Sequence, residues 1–122
     1  MTSLIACLST GKGTWSEVSA IIKSAEWDSI YLITNSFGKE KFVSNEKTSL
    51  IVLDFNKSTD ILSDEIVAGL HGKNLGLEVA INLSSGNGKE HMALLSAVLK
   101  LGLGIRFIFI KNDKVEELSL FN

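Results

Sequence analysis

Short apolar runs alternate along this chain with stretches of helical spacing, and that alternation restricts the fold more than any other feature. Leu4-Ile5-Ala6-Cys7-Leu8 is apolar without interruption, as expected of a strand covered on both faces, so it belongs at the centre of a sheet. Behind it, Thr14 stands three residues before Glu17, the spacing of a capping box. Trp15, Val18, Ile21, Ile22 and Ala25 then share one face, predicting a helix from about Trp15 to Ala25.

The same grammar continues. Ile30-Tyr31-Leu32-Ile33 reads as a second strand ending in the polar Thr34-Asn35-Ser36, and Phe37 to Val43 as a short helix or structured loop. Ser49 to Asp54 is a third strand. Ser58 or Thr59 caps a helix striped by Ile61, Leu62, Ile66, Val67 and Leu70, which Gly72 helps end. Leu77 to Leu83 is a fourth strand, and Lys89 to Leu101 a helix apolar nearly all round, which is expected to be buried or to lie at a subunit interface. After Gly102 and Gly104, Ile105 to Ile110 makes a fifth strand, and Asn112-Asp113 turns a hairpin into Val115 to Leu120. The expected fold is therefore α/β: a Rossmann-like, mainly parallel sheet of about five strands, with helices on both faces and an antiparallel C-terminal edge hairpin.

Residues 1–122 fit one domain, long enough to bury roughly two thirds of its unfolded surface. Hydrophobic content of 45% with a net charge of −2 describes a soluble globular chain and lacks the basic footprint that duplex nucleic acid requires. The N-terminus reads as having no secretory leader, and Lys100, Gly102, Gly104 and Arg106 break the richest apolar region, so no membrane span and a cytoplasmic location are expected. Cys7, the single cysteine, reads as a buried small hydrophobe.

Function is concentrated in two glycine-rich loops, Ser9-Thr10-Gly11-Lys12-Gly13 and Ser84-Ser85-Gly86-Asn87-Gly88-Lys89, each between a strand and a helix. Glycine lets backbone turn sharply and approach a ligand, and the helix N-terminus behind it offers unpaired amides and partial positive charge. In open α/β sheets ligands bind beyond the carboxyl ends of strands where strand order reverses, and strands one and four are expected to flank that point. Neither loop completes a nucleotide fingerprint. Leu83 and Glu90 stand where a P-loop has its leading glycine and metal-binding hydroxyl, and Ser16 replaces the third glycine of a dinucleotide motif. The simpler alternative is that both loops are only tight turns.

The candidate ligand-binding residues are Thr10, Gly11, Lys12, Gly13, Asn35, Ser84, Ser85, Gly86, Asn87, Gly88, Lys89 and His91. Lys12 and Lys89 can meet phosphate charge, and His91, in the first turn after the second loop, can touch a ligand, act as acid or base, or simply pack. His71 reads as solvated at a helix end, and Trp15 and Trp27 as packing, Trp15 being near enough to the first loop to stack on a base. Two histidines and one cysteine, far apart, match no metal-ligand spacing, and no cofactor is expected.

The segment Val79 to Lys89, followed by a helix rich in small residues and the Gly102/Gly104 exit, resembles the corresponding strand, loop and helix of CRISPR-associated Rossmann-fold (CARF) domains. The loop Ser9 to Gly13 matches the place of their other ligand loop. The likeness covers most of the chain in element order and only these two loops in motif. It implies a homodimer whose paired loops bind a cyclic oligoadenylate second messenger of CRISPR-type antiviral signalling, with Thr10, Gly11, Lys12, Ser84, Ser85, Gly86 and Lys89 on its phosphates, riboses or bases. Ring nucleases of this kind cleave the ring without metal by positioning a ribose 2′-hydroxyl against the adjoining phosphate. In that case Lys12 or Lys89 would stabilise developing charge, and Ser9, Thr10 or a loop serine would orient the ring. Family loops often carry threonine-glycine-glycine where this chain has Ser84-Ser85-Gly86, and most members carry a fused nuclease or DNA-binding domain. An interaction subunit without a nucleotide ligand and an enzyme for a small phosphorylated metabolite are the competing readings.

Overall fold

The sheet begins in the middle and is built outward in both directions. In the computed structural model, which describes residues 2–9, 14–42 and 45–119, β1 (Ser3–Leu8) is followed by α1 (Trp15–Lys23), β2 (Ile30–Thr34), α2 (Ser36–Lys41) and β3 (Thr48–Val52). The chain then continues through α3 (Thr59–Leu70), β4 (Glu78–Asn82), α4 (Gly88–Lys100), β5 (Gly104–Lys111) and β6 (Lys114–Glu117). Strand order is β3-β2-β1-β4-β5-β6, so the direction of growth reverses between β1 and β4. All pairings are parallel except β5 with β6, which matches the α/β sheet with an antiparallel edge hairpin expected from sequence.

Strand alternation divides the core into two layers. Ile5, Cys7, Tyr31, Ile33, Val79 and Ile81 face α3 and α4, meeting Leu62, Ile66, Leu70, Ala93, Leu94, Ala97 and Val98. Leu4, Ala6, Leu8, Ile30, Leu32, Ala80 and Ile108 face the other way, onto Val18 and Ile21 of α1 and onto Trp27. Every residue of β1 is buried, because helices cover both of its faces. The Trp27 indole N–H donates to Ile21 O at 2.9 Å, which satisfies its one polar atom inside the core.

Several local expectations are corrected. Thr14 precedes α1 but makes no side-chain cap bond to it, and that helix stops at Lys23 rather than Ala25. Ser58 also makes no cap bond to α3; its hydroxyl donates to Asp60 Oδ1 instead. Phe37 to Val43 resolves into α2, capped by Asn35 and ended at Phe42, with Val43 outside the described residues. The helix read as apolar all round has two distinct faces. Ala93, Leu94, Ala97 and Val98 are buried, while Met92 and Leu99 are 64% and 66% exposed. Among the described residues, no helix is long and apolar enough to cross a membrane.

Candidate functional site

The ends of β1 and β4 are neighbours at the strand-order reversal, the place where ligands bind in open α/β sheets. A hydrogen bond joins them: Ser9 N–H donates to Ser85 Oγ at 3.0 Å. Ser85 is almost fully buried, and its backbone carbonyl is held by His91 Nε2 at 2.8 Å, one turn into α4. The three residues form a strut from β1 through the second loop to the helix behind it. Thr10, Gly11, Lys12 and Gly13 lie outside the described residues.

The second loop turns because Gly86 adopts φ +95°, a region where a side chain is strained. Space is also short there, since a Cβ at Gly86 would come within 3.0 Å of Glu90 Oε1 and 3.1 Å of both Cys7 Cβ and His91 Nε2. Asn87 then caps α4, its Oδ1 accepting from Glu90 N–H at 3.1 Å. The Glu90 carboxylate lies near the Asn87 backbone N–H, which opposes the effect of burial on its pKa. Among the described residues no group accepts from the N–H groups of Gly88 and Lys89, which stand at the positive end of the helix.

Glu90 is the unusual group. It is buried, and its Oε1 has no hydrogen-bond partner among the described residues. Burial pushes its pKa up, opposed by the Asn87 N–H, His91 and Lys89. Cys7 lies beside it and is pushed up to about 12, first by burial and then by the Glu90 charge. A thiol so placed stays protonated and is no nucleophile.

Other predicted site residues are placed elsewhere. Lys89 reaches across to the turn before α3, its Nζ donating to Phe55 O at 2.9 Å. Asn35 caps α2 through Gly38 N–H, and it borders a separate hollow of about 460 Å³ with Asp54 and Asn56 at the ends of β2 and β3. Trp15 donates its indole N–H to Ser9 O at 2.7 Å and packs its ring against Phe37 and Phe42, so it ties the residue after β1 to α2. His71 is exposed at the end of α3. Among the described residues, no three His, Cys, Asp or Glu side chains gather to hold a metal ion.

Two residues passed over in the sequence organise the site. Asn82, buried at the end of β4, donates to Ser84 Oγ at 3.0 Å and to Ile108 O at 2.8 Å, while its Oδ1 accepts from Ser84 N–H. A polar residue closing an apolar strand was the available signal. Phe55 contributes only a carbonyl, for which sequence holds no signal.

The fold is a doubly wound α/β domain whose candidate site at the switch point consists of loop backbone, hydroxyls and a helix N-terminus. No protein-family model matches the chain, and neither does any curated protein.

Proposed function

We propose that this chain binds a cyclic oligoadenylate second messenger in CRISPR-type antiviral signalling, with the switch-point sites of two copies facing one symmetric ligand. The observation that carries the reading is the junction of the two glycine loops, where Ser9 N–H meets Ser85 Oγ beside the capped N-terminus of α4. The Gly88 and Lys89 amides, from which no described residue accepts, suit phosphate oxygens, and a twofold-symmetric dimer suits a ring of repeating units. Binding comes before cleavage in this reading. Lys89 is engaged by Phe55 O and His91 by Ser85 O, so ring opening would depend on Lys12, Ser9 and the ligand's own 2′-hydroxyl.

Thermal unfolding with cyclic tri-, tetra- and hexa-adenylate tests it, each sample being analysed afterwards by chromatography for intact and linear product. Ligand at a hundred times its Kd adds about 2.7 kcal/mol, a Tm rise on the order of ten degrees. A shift with an intact ring identifies a sensor, a shift with linear product a ring nuclease, and no shift with any ring removes the reading. One observation favours a different class, an interaction subunit. Met92 and Leu99 lie seven residues apart on the outer face of α4 and are both largely exposed. Light scattering of the chain without ligand separates the two: the subunit reading expects a monomer that associates only with its partner protein.

A further inference from the structure

An apolar groove of about 360 Å³ runs along the ends of β4 and β5. It exists because no helix follows β5. The chain turns at Asn112 and Asp113, with φ of 52° and 61°, directly into β6. Phe107 packs on the layer beneath α4, and Phe109, two residues on, shares its side of the sheet. Leu83 forms one wall and Leu118 the other, held there by its N–H donating to Phe107 O at 2.8 Å.

The groove has one well-directed polar group. Asn82 Nδ2 donates to Ser84 Oγ, occupying a lone pair, and no described residue accepts the hydroxyl proton. Asn82 is itself fixed by Ile108 O and Ser84 N–H, so the Ser84 hydroxyl is presented as a donor at the mouth of an aromatic-lined slot. Among the described residues no charged side chain lines the groove, which makes it unsuited to phosphate and suited to a flat, uncharged ring carrying an acceptor. Ser84 also opens the loop that leads to the α4 N-terminus, so the groove lies beside that loop.

We propose that this groove seats a purine base of the ligand, with Ser84 Oγ–H donating to a ring nitrogen and Phe107 and Phe109 contacting the ring. The inference rests on the nucleotide reading above, and it assigns the base to β4 and β5 while the phosphates lie over α4. Titration of cyclic tetra-adenylate into Phe109→Ala and Ser84→Ala, with unliganded unfolding as a fold control, is the test. Loss of a base contact weakens binding by about tenfold for the ring and about fivefold for the hydroxyl. Phe109→Leu keeps apolar volume without the ring and replaces Phe109→Ala if the latter does not fold. Unchanged affinity in both folded variants overturns the groove assignment and leaves the functional reading standing. If no cyclic oligoadenylate binds the parent chain, adenosine is the second probe. Adenosine-dependent NMR shifts at Phe109 and Leu118 then support a base site without a cyclic ligand, and their absence overturns it.

Discussion

A Cβ placed on Gly38 would collide with Thr34 Oγ1, so the first turn of α2 lies directly on the last side chain of β2. Thr34 is fully buried and donates to Leu8 O at 2.5 Å, at the end of β1. The contact therefore fixes α2 against the same strand end from which the first loop departs. Gly38→Ala should destabilise the chain by about 2 kcal/mol through overpacking, seen as a lower midpoint in urea. The cost should shrink in a Thr34→Ala background, where the obstructing oxygen is gone. An equal cost in both backgrounds would place the strain elsewhere.

Ser85→Ala removes the acceptor for Ser9 N–H and leaves a partly buried donor unpaired, which costs about 1–2 kcal/mol. Because the bond joins the two loops, hydrogen exchange at Ser9 should accelerate more than exchange at the centre of β1. Uniform acceleration along β1 would mean that the bond stabilises the sheet without ordering the loops.

Glu90 sets a pH dependence of definite sign. Its folded pKa is raised by burial above its ordinary value of 4.5, so the native state holds the proton more tightly than the unfolded chain does. Stability from this group is full below the ordinary carboxylate value and is lost as pH rises through the folded pKa. Glu90→Gln should flatten the decline above pH 4.5 and make the protein more stable than the parent at neutral pH, as read from urea midpoints across pH. A parallel pH profile in the variant would show that the carboxyl is paired in solution.

Cys7 is buried with its pKa pushed up to about 12, so the native thiol should resist iodoacetamide at pH 8 and react at the ordinary rate once urea unfolds the chain. Rapid labelling of the native protein would reveal local opening beneath the second loop.

What was legible in the sequence were the features that local chemistry decides. The apolar run from Leu4 to Leu8 marked the central strand and Asn112-Asp113 the hairpin. Thr14 carried the spacing of a capping box without forming the bond, because spacing does not determine the rotamer. Sequence left the helix of Met92 and Leu99 either buried or at a subunit interface, because hydrophobicity alone does not say which face of a helix meets the sheet. The least legible features were contacts between distant segments: Lys89 with the Phe55 carbonyl, Asn82 with Ile108, and the open side of β5.

The two lysines of the glycine loops should separate under mutation. Lys89 Nζ is bound to Phe55 O, a contact that ties the start of α4 to the turn before α3, so Lys89→Met should lower stability whether or not ligand is present. If it also meets phosphate, Lys89→Met weakens cyclic oligoadenylate binding and flattens its salt dependence, because one fewer phosphate is neutralised. Lys12, assigned to the ligand by the sequence reading alone, should change affinity and salt slope with little effect on unfolding. Titrations at about 50 and 200 mM salt, run beside denaturant curves, distinguish the roles. A variant that loses stability and keeps its salt slope marks a strut, and one that keeps stability and loses slope marks a phosphate ligand.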